Sequence, residues 1–191
     1  MGNKKYLLLY PFSILYHLIT DIRNALFDKG ILHSEQFGIP VICVGNITVG
    51  GTGKTPHTEY LARLLSKDFK VAVLSRGYKR KSAGFRMANS ASSVSEIGDE
   101  PLQIFRKLPE ITVAVDSNRR NGIRRIIKEF PGTDVIILDD GFQHRWVMPG
   151  LSILLTEYGR LITRDHPMPY GSLRESVKNR KRAGLIVVTK T

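Results

Sequence analysis

Lys54 and Thr55 close the run Thr48-Val49-Gly50-Gly51-Thr52-Gly53-Lys54-Thr55, and side chains of these types at this spacing suit one task, the grip of a polyphosphate. The glycines let consecutive backbone N–H groups converge on β- and γ-phosphates. Lys54 adds a mobile positive charge, and Thr55 offers a hydroxyl to Mg²⁺. An apolar run, Ile39–Val44, precedes the loop and a helical pattern follows it, which is the strand-loop-helix context a Walker A loop requires. Thr48 stands where the first glycine usually does, with Gly45 just upstream, so the bend into the loop departs from the commonest form. A plain glycine turn would need neither Lys54 nor Thr55. Thr48, Val49, Gly50, Gly51, Thr52, Gly53, Lys54 and Thr55 are therefore the candidate nucleotide-binding residues.

A second signal is Val135-Ile136-Ile137-Leu138-Asp139-Asp140-Gly141-Phe142-Gln143-His144, an apolar strand ending in two carboxylates. Such a strand is buried on both faces of a parallel sheet, and its C-terminal end is where these sheets place ligands. Asp-Asp-Gly alone suits an ordinary turn; beside a Walker A loop it has Walker B form, with Asp139 and Asp140, together with Thr55, as candidate Mg²⁺ residues. His144 suits a hydrogen-bonded turn and is given no catalytic step. Local structure also explains Gly98-Asp99-Glu100-Pro101, with Asp99 as a helix N-cap and Pro101 in the first turn. Arg119 and Arg120 can simply solvate a helix, and Arg174-Glu175 can be a surface pair.

These residues need a scaffold, and the pattern supplies strand, turn and helix in alternation. Strands are expected at Ile39–Val44, Lys70–Ser75, Ile111–Asp116, Val135–Asp139, Leu151–Thr156 and Leu185–Thr189, with helices at Thr55–Ser66, Glu100–Lys107 and Asn118–Phe130. This predicts an α/β fold, a P-loop NTPase-type, mostly parallel sheet flanked by helices. Ser90–Ser95 and Arg174–Arg182 are expected as exposed loops. With 191 residues and 42% hydrophobic content the chain can fill one core over residues 38–191, with residues 1–30 as a preceding helix.

In that helix Leu8, Phe12, Leu15, Ile19, Ile22 and Leu26 form an apolar stripe from Tyr6 to about Phe27, with Ser13, His17, Asp21 and Asn24 on the other side. Its most apolar part contains Pro11 and His17 and falls short of the ~20 residues a membrane span needs. The stripe suits an interfacial helix, with Lys4, Lys5 and Arg23 near anionic headgroups, or a helix docked on the core. No secretion or myristoylation signal is read at Met1–Tyr6. Cys43, the single cysteine, excludes an internal disulfide and lies in an apolar run, as a core thiol would. The net charge of +12, from 29 Lys plus Arg against 17 Asp plus Glu, favours a polyanionic partner: nucleic acid, phosphorylated ligand or anionic lipid. The chain stops directly on a strand at Val188-Thr189-Lys190-Thr191, and truncation is expected.

The order of five motifs resembles that of the tetraacyldisaccharide 4′-kinase family over nearly the whole chain: Gly45–Pro56, Ser75-Arg76-Gly77-Tyr78, Gly98-Asp99-Glu100-Pro101, Asp139–His144, and Arg164-Asp165 followed by Gly171-Ser172-Leu173-Arg174-Glu175. The resemblance implies ATP and Mg²⁺ as cofactors and an acylated glucosamine disaccharide 1-phosphate as acceptor. It implies transfer of the γ-phosphate to the acceptor's 4′-hydroxyl in lipid A and lipopolysaccharide biosynthesis. The place implied is the cytoplasmic face of the bacterial inner membrane. Asp99 becomes the base that takes the hydroxyl's proton, Lys54 and Arg119 become groups that stabilise the transferred charge, and Asp139 and Asp140 become Mg²⁺ and water-network residues. The N-terminal helix shifts toward peripheral membrane association. Family members are longer, with a second domain that supplies a histidine partner to the aspartate, so this chain alone is expected to bind nucleotide and turn over little.

Two other readings remain. Thr189-Lys190 can begin the Thr-Lys-x-Asp motif that selects guanine, which would make a GTPase or metallochaperone-like switch, although Asp139-Asp140-Gly141 lacks the Asp-x-x-Gly spacing. Lys79-Arg80-Lys81, Arg119-Arg120 and Lys178…Arg180-Lys181-Arg182 can be basic clusters of a nucleic-acid-binding module, but no recognition motif or aromatic series lies between them. We therefore expect no nucleic acid as partner.

Overall fold

The computed structural model describes residues 9–191. Its elements are α1 (Tyr10–Asp28), β1 (Val41–Gly45), α2 (Lys54–Leu65), β2 (Val71–Ser75), β3 (Arg86–Met87), α3 (Val94–Ile97), α4 (Asp99–Lys107), β4 (Thr112–Val115), α5 (Arg119–Glu129), β5 (Val135–Asp139), β6 (Leu151–Glu157) and β7 (Leu185–Thr189), with 3₁₀ turns at Ile162–Arg164 and Val177–Arg182. The strands form one sheet in the order β3-β4-β2-β5-β1-β6-β7. Every neighbouring pair is parallel except β3–β4. This is the α/β, P-loop NTPase-type fold.

Burial on both faces explains the unbroken apolar strands. Val71, Val73, Val135 and Ile137 face one side with Ala62 of α2 and Leu102 and Ile104 of α4. Ala72, Leu74, Ile136 and Leu138 face the other with Ile123 and Ile126 of α5, Phe142 and Leu173. Cys43 is a free thiol in this second layer, 2% exposed, and burial pushes its pKa up to about 12.

Register places the chemistry at the C-terminal edge. Val44 pairs with Asp139 and Leu74 with Leu138, so the ends of β1, β2 and β5 stand level. Close packing at this edge needs Gly45: a Cβ there would lie 2.7 Å from Phe142 Cβ and 2.9 Å from Phe142 N. Gly45→Ala should therefore cost about 1–3 kcal/mol through overpacking. Urea unfolding of the full-length protein checks this, and an unchanged midpoint would mean that the turn after β5 gives way freely.

Several elements depart from expectation. β3 is too short to show alternation, and α3 occupies part of the expected Ser90–Ser95 loop because Ser93 and Glu96 form a capping box. Asp99 is not an N-cap; it is the first residue of α4, and Gly98, at φ +91°, holds the cap position. Arg174–Arg182 is no open loop, since Glu175 and Ser176 are buried and the following residues form a 3₁₀ turn.

For α1 the sequence leaves open whether the helix is interfacial or docked on the core. Ser13, Asn24 and Phe27 are its buried residues, whereas Phe12, Leu15, Ile19 and Ile22 are 52–63% exposed. The helix docks through its polar side and presents its apolar stripe outward. Lys4, Lys5 and the start of the stripe, Tyr6 to Leu8, lie outside the described residues. Among the described residues no helix is long and apolar enough to cross a membrane.

Candidate active site

The loop after β1 bends on glycines in the left-handed region, Gly50 at φ +116° and Gly53 at φ +84°, where Gly53 holds the N-cap of α2. Asn46, fully buried, braces the loop from beneath: its Nδ2 donates to Thr52 Oγ1 at 2.9 Å and Thr48 Oγ1 at 3.3 Å. Thr48 and Thr52 are thus buried supports, while Val49, Gly50, Gly51, Gly53, Lys54 and Thr55 line a cleft of about 1000 Å³. The N-terminal end of the α2 dipole faces that cleft beside the loop glycines, an anion site by construction.

β5 delivers two carboxylates to different depths. Asp139 is 1% exposed and accepts from Thr58 Oγ1 at 3.0 Å and Ser75 Oγ at 3.3 Å. Burial, then the charges of Glu100 and Asp140, raise its pKa to about 6, against those two hydrogen bonds. Asp140 turns into the cleft at φ +51°, a conformation that costs a non-glycine residue energy and often marks a functional site. Lys54 Nζ and Arg174 Nη1 each approach its carboxylate at 3.7 Å, and its buried Oδ1 has no hydrogen-bond partner. The sequence treats Asp139 and Asp140 as one metal pair; in the structure Asp140 alone of the two reaches the cleft.

Four arginines also line the cleft, Arg23, Arg76, Arg119 and Arg174. Arg119 is 2% exposed; its Nη1 donates to Asp116 O at 2.7 Å, and its Nε is buried without a partner. Burial lowers its pKa to about 10, partly offset by Asp139 and Asp140, so it stays charged at neutral pH. It is a cleft residue rather than a solvated helix arginine. Asp99 is exposed at the start of α4 and stands outside the residues lining the cleft, whereas Glu100 lines it beside Thr55. Burial, then Asp99, raises the pKa of Glu100, with Lys54 opposing.

Arg174 and Glu175 are not a surface pair. Arg174 faces Asp140, and Glu175, 4% exposed, pairs with Arg182 at 2.6 Å. Asn46, Ser75, Arg76, Glu100 and Gln143 carry no signal in the sequence that marks them individually as site residues. Each lies within a motif quoted above, but no side-chain type among them announces a brace or a wall. Thr189, at the end of β7, gives its hydroxyl to Thr52 O at 3.0 Å, so it too serves the loop.

His144 lines the cleft with a buried Nε2 that has no partner. Burial, then the charges of Arg119, Arg23, Arg120 and Arg76, lower its pKa from 6.5 to about 4. The folded protein therefore binds fewer protons than the unfolded chain between these values. The stability this contributes is complete above pH 6.5 and lost as pH falls toward 4, with a slope of at most ~1.4 kcal/mol per pH unit for one proton. His144→Gln should flatten that part of the stability–pH curve of the full-length protein. An identical slope in the variant would remove His144 from the account.

Comparison with known proteins follows the same lines. The family model described as Tetraacyldisaccharide-1-P 4′-kinase matches residues 5–191. A tetraacyldisaccharide 4′-kinase of Bacteroides thetaiotaomicron is 56% identical over 184 residues, 95% of this chain and 48% of that protein. One of Phocaeicola vulgatus is 58% identical over 184 residues, 95% of this chain and 50% of that protein. The chain spans about half the length of the curated relatives it matches. A crystal structure of an "apo" form of LpxK from Aquifex aeolicus in complex with ATP superposes with a TM-score of 0.90 at 43% identity, covering 97% of this chain and 59% of that one.

Proposed function

We infer from the chain's place in the tetraacyldisaccharide-1-P 4′-kinase family, to which it belongs over residues 5–191, that its cleft is the ATP side of a lipid kinase. The reaction is transfer of the γ-phosphate to the 4′-hydroxyl of an acylated glucosamine disaccharide 1-phosphate, a step of lipid A and lipopolysaccharide biosynthesis. The observation that carries this reading is the facing of Lys54 and Asp140 at 3.7 Å across the phosphate loop, inside a cleft lined by four arginines. Nothing in a plain turn would place these charges together.

The loop N–H groups and the start of α2 hold the β- and γ-phosphates, and Lys54 leaves Asp140 to follow charge onto the oxygens of the transferring group. The acceptor oxygen forms a bond to the γ-phosphorus as the bond to the β-phosphate oxygen breaks, leaving ADP. Asp99, the chain neighbour of the cleft residue Glu100, accepts the hydroxyl proton. Arg119 and Arg174, whose charges already face the cleft, stabilise the negative charge of phosphates drawn into it.

Mg²⁺ fits the residues present, because Asp140 keeps a buried carboxylate oxygen without a hydrogen-bond partner, facing Lys54 at 3.7 Å, in the cleft that Thr55 and Glu100 also line. When bound, it neutralises charge on the β- and γ-phosphate oxygens. Among the described residues no cluster of three His, Cys, Asp or Glu side chains is placed to hold a metal. Asp139 would act one layer behind, fixing Ser75 and Thr58.

The outward apolar face of α1 suits peripheral attachment to a lipid surface, and the reading places the protein at the cytoplasmic face of the bacterial inner membrane, where ATP meets an acylated acceptor. Leu15→Glu combined with Ile19→Glu should abolish cosedimentation with phospholipid vesicles while leaving ATP binding in place; retained cosedimentation would assign attachment elsewhere. The function itself is tested with the full-length protein, labelled ATP and the acceptor in detergent micelles. Label should appear in the lipid and vanish with EDTA. Mg²⁺-dependent ATP binding with no transfer would keep the phosphate loop and discard the acceptor.

A further inference from the structure

The polar side of α1 is bonded to two stretches of chain, residues 143–145, where Arg23 donates to Gln143 O at 3.2 Å and Arg145 donates to Asn24 O at 2.8 Å, and residues 167–175. Ser13 Oγ donates to Pro167 O at 3.1 Å and accepts from Tyr170 N–H at 2.8 Å, and Tyr16 OH donates to Arg174 O at 2.9 Å. The second stretch in turn lies along the phosphate loop. Val49 N–H donates to Ser172 O and Arg174 N–H to Ile47 O, both at 2.8 Å, with Thr48 opposite Leu173 in an antiparallel bridge.

Glu175 closes a second route between the same two places. Its buried carboxylate accepts from Asn24 of α1 at 3.2 Å, from Asn179 at 2.9 Å and from Gln143 at 3.4 Å. Gln143 also donates to Asn46 O, and Asn46 is the brace under Thr48 and Thr52. Two bonded routes therefore join a helix whose other face is apolar and exposed to the loop that would carry nucleotide.

We propose that Glu175 is a positioning residue that couples the seating of α1 to the shape of the phosphate loop, so that lipid and nucleotide bind cooperatively. The inference rests on the membrane reading of α1. A lipid surface takes only the seating in which the apolar face points outward, and that seating is the one in which Asn24 meets Glu175 and Tyr16 meets Arg174. Alternatives in which the stripe turns onto protein lose both contacts and give lipid nothing to hold. Lipid thus selects the state that braces the loop, and by linkage nucleotide raises the affinity for lipid by the same factor.

The test measures the affinity of the full-length protein for a fluorescent ATP analogue, with and without acceptor-free phosphatidylethanolamine–phosphatidylglycerol vesicles, alongside cosedimentation with the same vesicles. Nucleotide should bind about five-fold or more tightly with vesicles present, the lower end of ordinary coupling between sites. In Glu175→Gln both partners should still bind while the vesicle effect on nucleotide falls toward none. Tyr16→Phe, which removes one part-buried hydroxyl bond to Arg174 O and no packing, should reduce the effect in part. A merely structural role for Glu175 would weaken nucleotide binding equally with and without vesicles. Wild-type cosedimentation with no change in nucleotide affinity would overturn the coupling alone. Absence of cosedimentation would overturn the membrane reading and this inference with it.

Discussion

Lys54→Ala is expected to lower phosphate transfer by about 10³-fold, the scale seen when a preorganised charge aimed at the transition state is removed. Lys54 is the first residue of α2, fixed by a left-handed Gly53 at the cap, and its ammonium faces Asp140 at 3.7 Å. Two losses follow from the substitution. The transferring phosphate loses its mobile counter-charge, and Asp140 loses one of the two cations that face it, leaving Arg174 alone. ATP affinity should fall as well, because the ground state also carries charge on the β- and γ-phosphates. Single-turnover transfer by the full-length protein, at saturating ATP, separates the two effects. A rate within a few-fold of wild type at saturation would confine Lys54 to binding.

Asp99→Ala is expected to reduce turnover by about 10²- to 10⁴-fold, the range for loss of a general base, with ATP binding unchanged. The contrast with Lys54 arises from position. Asp99 is exposed at the start of α4 and is not among the residues lining the cleft that holds Lys54 and the phosphate loop, which assigns it to the acceptor rather than the nucleotide in the proposed reaction. Glu100 is the control because it lines the cleft next to Thr55. Full loss of turnover in Glu100→Gln with none in Asp99→Ala would transfer the base's role to Glu100.

The phosphate loop was legible because its chemistry is local. Backbone N–H convergence needs glycines at fixed spacing, and those positions follow from the residues themselves. The strand of Asp139 and Asp140 was legible for a related reason, since burial on both faces forces an unbroken apolar run. Asp139 and Asp140 show where this stops. They are adjacent and chemically identical, yet a left-handed backbone at Asp140 turns one into the cleft and leaves the other beneath Thr58 and Ser75. Arg174 and Glu175 likewise look like a solvated pair until the fold buries the second and points the first at Asp140.

The amphipathic period of α1 was also plain in the sequence, but its direction was not. An apolar stripe ordinarily faces the core, and here Ser13, Tyr16 and Asn24 take that side because the partner surface, residues 167–175, offers carbonyls and a carboxylate rather than hydrocarbon. By itself the sequence determined the parallel sheet, the phosphate loop and the position of the acidic strand, all of which rest on short-range periodicity and spacing. Only the tertiary structure decided which carboxylate faces the ligand, which arginines converge on it and which face of α1 meets the core. Those depend on contacts between segments far apart in sequence, 81 residues for Thr58 and Asp139 and 158 for Tyr16 and Arg174, and no local pattern encodes what lies opposite.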